Sequence, residues 1–172
     1  MAKKIDYNDL FVPVYSRSGE PFVSGKGSWL FDANGKKYLD FGSGIAVNAL
    51  GHAHPALKKT LVEQGSAIIH SSNLYFSKPQ IDLAEMLIKN SFAKKVFFCN
   101  SGTEANEAAI KFARKKALSI SEKKYHVLSF EDGFHGRTYG ALSATAQSKF
   151  HDGFLPILDG FHYSKFNDIE AS

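Results

Sequence analysis

Eight residues constrain this chain more than any others: Asn100-Ser101-Gly102-Thr103-Glu104-Ala105-Asn106-Glu107. The apolar run Val96-Phe97-Phe98-Cys99 leads into them, and a helical pattern from Glu104 to about Leu118 leads out. A strand, a short turn of small residues and a helix together offer free backbone N–H groups to an anion at the helix N-terminus. Gly102 lets the backbone come close to a ligand, and Ser101 and Thr103 add hydroxyls. Ser101 and Glu104 also fit the S-x-x-E capping box, in which each side chain satisfies an N–H that the helix leaves orphaned. The stretch by itself supports two readings, a well-capped helix and a phosphate cup.

At 172 residues the chain is one ordinary domain or part of a larger one. A hydrophobic content of 44% is enough for a sizeable core and argues against disorder. The net charge is +4, but the lysines stand singly or in pairs, as at Lys58-Lys59 and Lys115-Lys116, with acids between them. No Arg-rich tract gives the footprint of a nucleic-acid binder. The single cysteine, Cys99, permits no disulfide within one chain and fits a reducing compartment; at the end of an apolar run it reads as a buried strand residue. The first residues lack the apolar region of a signal peptide, and no apolar run approaches the roughly 20 residues that span a bilayer. The expectation is a soluble cytoplasmic protein.

Residues 1 to about 24 read as an irregular arm broken by Pro13, Gly19 and Pro21. Asn34-Gly35 between the runs 29–32 and 37–41 predicts a hairpin. Gly42-Ser43-Gly44 is not a dinucleotide fingerprint, because position 47 is Val47. His52-Ala53-His54 can ligate a metal only with further ligands. Helices are predicted over 55–70 and from Pro79, the latter capped by Ser77. The next strand is 125–130, so a right-handed βαβ unit is expected between strands 96–99 and 125–130. The loop Glu131-Asp132-Gly133-Phe134-His135-Gly136-Arg137-Thr138 leaves the C-terminal end of the second strand, the edge at which open α/β sheets bind ligands. The cup is expected at the same edge. The tail from Lys149 carries no clear element, and the chain reads as cut at Ser172.

The cup lacks G-x-x-x-x-G-K-[ST], and no Lys follows Gly102, which disfavours a nucleoside triphosphate. One glycine and two hydroxyls suit a single phosphate monoester. Phe134, in a Gly-flanked loop, can offer its ring to a flat ligand. Arg137 can clamp a carboxylate in bidentate fashion, and His135 can shuttle a proton. A flat ring bearing one phosphate, beside a carboxylate clamp, describes pyridoxal phosphate with an amino acid.

These motifs resemble the class III, fold type I pyridoxal-phosphate aminotransferases, the bacterial acetylornithine enzymes among them. The matching stretches are Asp40-Phe41-x-Ser43-Gly44-Ile45-Ala46-Val47, Gly51-His52-x-His54-Pro55, His70-x-Ser72-Asn73-Leu74-Tyr75, the cup through Ala109, Phe134-His135-Gly136-Arg137-Thr138, and Ala141-Leu142-Ser143-Ala144-Thr145. The resemblance implies an α/β fold with a mostly parallel sheet flanked by helices. Residues 1–75 would contribute to a small domain and dimer contacts, and residues 76–172 would be the first part of the cofactor domain. It implies cofactor contacts at Ser101, Gly102, Thr103, Phe134 and His135, and substrate α-carboxylate contact at Arg137. It further implies a homodimer in which the Ser72–Phe76 loop nears the other subunit's site. The implied reaction moves an amino group between N-acetylornithine and 2-oxoglutarate in arginine biosynthesis, with succinylornithine, ornithine and 4-aminobutyrate as alternative donors. The lysine that anchors the cofactor in this family, and the aspartate that pairs with its ring nitrogen, are expected beyond Ser172, so no catalytic residue is assigned here and the chain alone is expected to be inactive. Two other classes stay open from the residues: a non-catalytic phosphate-ester binding domain, and a metal hydrolase using His52, His54 and His135.

Overall fold

Asn34-Gly35 turns the chain as its sequence predicts. In the computed structural model, which describes residues 6–168, β1 (Phe22–Lys26), β2 (Trp29–Asp32) and β3 (Lys37–Leu39) form an antiparallel sheet. Gly35 takes the left-handed conformation that the turn requires, at φ 80°. Asp32 closes it, accepting hydrogen bonds from Asn34 N, Lys36 N and Tyr38 Oη, each at 2.9 Å. Burial works to raise the Asp32 pKa, but these donors outweigh it and hold it below the ordinary value. Residues 22–24, expected to be part of an irregular arm, belong to β1, and a 3₁₀ turn covers Tyr7–Leu10.

The chain divides into two units, Met1–Ser77 and Lys78–Ser172. In the first, the single turn α1 (Ser43–Ala46) is wound left-handed, with Ser43, Gly44, Ile45 and Ala46 at φ 46°, 61°, 58° and 63°. Ile45 is β-branched and therefore strained there. The H-x-H pair is structural in its first member: His52 Nε2 meets Asp40 Oδ2 at 2.6 Å, and its backbone exchanges hydrogen bonds with Gly27. A Cβ on Gly25 would lie 2.7 Å from that of His52, so the strand needs glycine where the imidazole packs. Pro55 opens α2 (Pro55–Ala67), where its missing N–H costs nothing.

The second unit holds α3 (Lys78–Lys89), α4 (Gly102–Leu118), β4 (Val127–Phe130), α5 (Tyr139–Ala144), α6 (Ser148–His151) and β5 (Phe161–Ser164). β4 and β5 pair in parallel, Val127 opposite Phe161 through Phe130 opposite Ser164, and the connection between them carries α5 and α6. The expected parallel unit is thus displaced. Run 96–99 forms no ladder; it meets α4 through Phe97 and Phe112, whose rings pack edge to face at 5.6 Å. A strand exists only with a partner, and β4 takes its partner from the tail that showed no element. Cys99, expected to be buried in a strand, is exposed. The core of the unit is α5 and its exit: Ala141, Leu142, Ser143, Ala144 and Thr145 are all buried. Tyr163 Oη donates to Ser143 O at 2.7 Å, and Leu158 N donates to Ser143 Oγ at 2.9 Å. Among the described residues no helix is long and apolar enough to cross a membrane.

Candidate active site

The N-terminus of α4 and the loop after β4 come together as the sequence predicts. Ser101 is the N-cap, its Oγ accepting Glu104 N at 3.3 Å. The Glu104 carboxylate returns to accept Asn100 N at 2.8 Å and Ser101 Oγ at 3.0 Å. Hydrogen bonds from the Asn100 side chain, then from Ser101, hold the Glu104 pKa below its ordinary value. The helix is therefore capped, while the first-turn N–H groups of Gly102 and Thr103 donate to no oxygen among the described residues. A Cβ on Gly102 would meet nothing within 4 Å, so the approach to these N–H groups is open.

Three contacts join the loop to α4. Asn106 Nδ2 donates to His135 O at 2.6 Å, and the Thr103 and Thr138 hydroxyl oxygens lie 3.0 Å apart. Thr138 Oγ1 then donates to Glu107 Oε1 at 2.5 Å. A carboxylate can only accept, so the Thr138 proton goes to Glu107 and the Thr103 proton to Thr138. Ser101 likewise gives its proton to Glu104. Both hydroxyls expected to line the cup are thus committed as donors inside the chain, and the cup consists of backbone N–H groups. Hydrogen bonding from Thr138 is also the main cause that lowers the Glu107 pKa. Gly136, at φ 130°, lets the loop lie against the helix: a Cβ there would sit 2.5 Å from Thr103 Cβ.

The other expected residues flank this junction. His135 is pinned by its backbone, its N–H donating to Thr145 Oγ1 at 2.9 Å, while its Nδ1 is buried without a hydrogen-bond partner among the described residues. Phe134 is exposed, and its ring packs at 5.5 Å against Phe150 of α6. The Arg137 guanidinium lies over the same Phe150 ring at 5.9 Å. Asn106, Glu107, Thr138 and Phe150 were given no role by sequence reasoning. The available signal was spacing: Thr103, Asn106 and Glu107 are three and four residues apart and so share one face of α4. His52 and His54 lie in the first unit and His135 in the second; among the described residues no three His, Cys, Asp or Glu side chains form a metal-binding group.

An exposed aromatic, an arginine and an uncrowded helix N-terminus are brought together at the C-terminal edge of a parallel strand, the arrangement of ligand-binding α/β proteins. Residues 15–172 match the family model described as aminotransferase class-III, and the chain belongs to that family. It is 53% identical over 158 residues to an acetylornithine aminotransferase of Caldanaerobacter subterraneus subsp. tengcongensis, covering 91% of this chain and 40% of that protein. It is 45% identical over 173 residues to a succinylornithine transaminase of Yersinia pseudotuberculosis, covering 96% and 42%. The ornithine aminotransferase of Toxoplasma gondii, a structure with partial occupancy of PLP at its active site, superposes with a TM-score of 0.86 at 26% identity over 92% of this chain and 38% of that one. The chain therefore spans about 40% of the length of the curated relatives it matches. The fold is the α/β fold of the fold type I pyridoxal-phosphate aminotransferases.

Proposed function

We propose that the protein carrying this chain is a cytoplasmic, homodimeric aminotransferase that uses pyridoxal 5'-phosphate to move an amino group between N-acetylornithine and 2-oxoglutarate. The observation that carries the reading is the junction of α4 with the Phe134–Arg137 loop in a class III chain. The residues present fit the cofactor. The open N–H groups of Gly102 and Thr103 would hold its phosphate, with Ser101 capping the same turn. Phe134 would face the pyridine ring, and the unpartnered His135 Nδ1 lies in the same loop. Arg137 would hold the substrate α-carboxylate. When bound, the cofactor supplies the electron sink that lets an amino group leave one carbon and join another.

This chain's part is to bind and orient. The lysine count is eighteen, the 21 basic residues less Arg17, Arg114 and Arg137, and none sits in the family's anchoring context. Proton movement at the reacting carbon is therefore assigned to no residue of this chain. The higher identity to acetylornithine enzymes supports that donor over succinylornithine. The test uses the longest reading frame carrying this chain, purified with pyridoxal phosphate and assayed against N-acetylornithine, succinylornithine, ornithine and 4-aminobutyrate with 2-oxoglutarate. Cofactor-dependent transfer fastest with N-acetylornithine is expected; no transfer from any of the four would overturn the reading.

A further inference from the structure

Glu107 has no place in the cofactor or substrate contacts proposed above, yet its Oε1 gathers three donors from one short segment. It accepts Thr138 Oγ1 at 2.5 Å, Gly140 N at 2.8 Å and Ala141 N at 3.1 Å. All three donors lie within the four residues that follow Arg137. Ahead of Arg137, the neighbouring helix residue Asn106 holds His135 O at 2.6 Å. Two consecutive residues of α4 thus fasten the backbone on both sides of the arginine. The fit is close: a Cβ on Gly140 would lie 2.7 Å from Glu107 Oε1 and 2.8 Å from its carboxyl carbon, so a larger residue there would require the carboxylate to shift.

We propose that Glu107 is a positioning residue of the aminotransferase site. It fixes the segment that presents Phe134 and Arg137, and through Thr138 and Thr103 it ties that segment to the cup. The proposal rests on the aminotransferase reading. Its chemistry requires a carboxylate or a close mimic. An ionised oxygen takes several donors at once. An amide oxygen in the same place takes them more weakly, and alanine takes none. Without Glu107, Gly140 N, Ala141 N and the Thr138 hydroxyl lose their acceptor together, and the arginine is free to leave its register with the cup. A residue that merely caps α5 would instead lower stability and leave substrate affinity alone.

The experiment is a double-mutant cycle on the longest reading frame carrying this chain, comparing the parent, Glu107→Ala, Arg137→Ala and the pair. Glu107→Gln serves as the conservative variant. Three quantities are read: amide exchange at Gly140 and Ala141 in the cofactor-free protein, the visible absorbance of bound pyridoxal phosphate, and kcat and KM for the amino acid. Glu107→Ala is expected to speed exchange at both amides and to raise the KM about tenfold or more, the effect of a lost charge-assisted hydrogen bond, with kcat moving less. Added to Arg137→Ala it should change the KM little, because both act through the same guanidinium. Glu107→Gln should restore most of the loss. If Glu107→Ala does not fold, the cycle is run with Glu107→Leu, which fills the same space with no acceptor oxygen, and is judged the same way. Additive effects on KM, or a lower melting temperature with KM unchanged, would overturn the positioning role alone. A parent protein that takes up no cofactor would overturn the aminotransferase reading and this proposal with it.

Discussion

Gly102 and Gly136 are required for different reasons, and the two are separable by experiment. Nothing stands within 4 Å of a Cβ built on Gly102, so its value lies in what the open space admits. Gly102→Val should change stability by less than about 1 kcal/mol and yet cover the first-turn N–H groups, so that cofactor is lost on dialysis several times faster. Undiminished retention would remove the phosphate-cup reading. Gly136 is needed by the fold itself. It combines φ 130° with a Cβ position 2.5 Å from Thr103 Cβ and 3.0 Å from Ala141 Cβ. Gly136→Ala should cost roughly 2–4 kcal/mol from backbone strain and overpacking together, seen as a lower melting temperature; an unchanged melt would mean that the loop does not lie on α4. The place of Gly102 at the start of a capped helix was legible in the sequence because that geometry is local. The role of Gly136 was not, because Thr103 and the Phe134–Thr138 loop are distant in the chain and meet only in three dimensions.

Elements whose signals are local were legible, and those defined by a distant partner were not. The Asn34-Gly35 hairpin, the Pro55 helix start and the Ser101 cap each depend on neighbours within a few residues, and each forms where its residues predict. Run 96–99 reads as a strand by composition but finds no ladder, while β5 (Phe161–Ser164) forms in a stretch without a pattern because β4 lies beside it. Helix α5 has no apolar period to read: a short helix buried over nearly its whole surface shows no polar face. The junction of α4 also makes a prediction about pH. Glu104 and Glu107 both have folded pKa values below 4.5, chiefly through hydrogen bonds from Asn100 and Thr138 respectively. A depressed carboxylate pKa contributes stability that is present above the unfolded value and lost as pH falls through the folded one. The melting temperature should therefore decline as the pH drops below about 4.5, and Glu107→Gln, which has no proton to gain, should show a shallower decline over that range. Parallel curves for parent and variant would mean that Glu107 is not ionised against Thr138 in the folded protein.

At the scale of the whole chain, much apolar surface lies uncovered within each unit. Among the described residues the buried hydrophobic core comprises only Ala141, Leu142 and Ala144, while Phe41, Ile45, Ile69 and Phe76 in the first unit and Phe92 in the second are at least 90% exposed. Helix α4 buries no residue, although Ala105, Ala109, Phe112 and Ala113 form the stripe that suits close packing on a sheet. Exposed apolar faces of this extent belong to surfaces that something else covers. The relatives extend well beyond the 40% that this chain matches, and the stripe on α4 and the unladdered run 96–99 are what a larger sheet would complete. The 172-residue chain expressed alone should consequently bind a dye specific for exposed apolar surface and self-associate as its concentration rises. The longest reading frame carrying it should do neither, melting cooperatively with its cofactor bound. Light scattering with dye fluorescence on the two proteins side by side decides the matter. A monomeric, dye-silent, cooperatively melting 172-residue chain would show that these faces are stable in water and are not the interior surfaces of a larger aminotransferase domain.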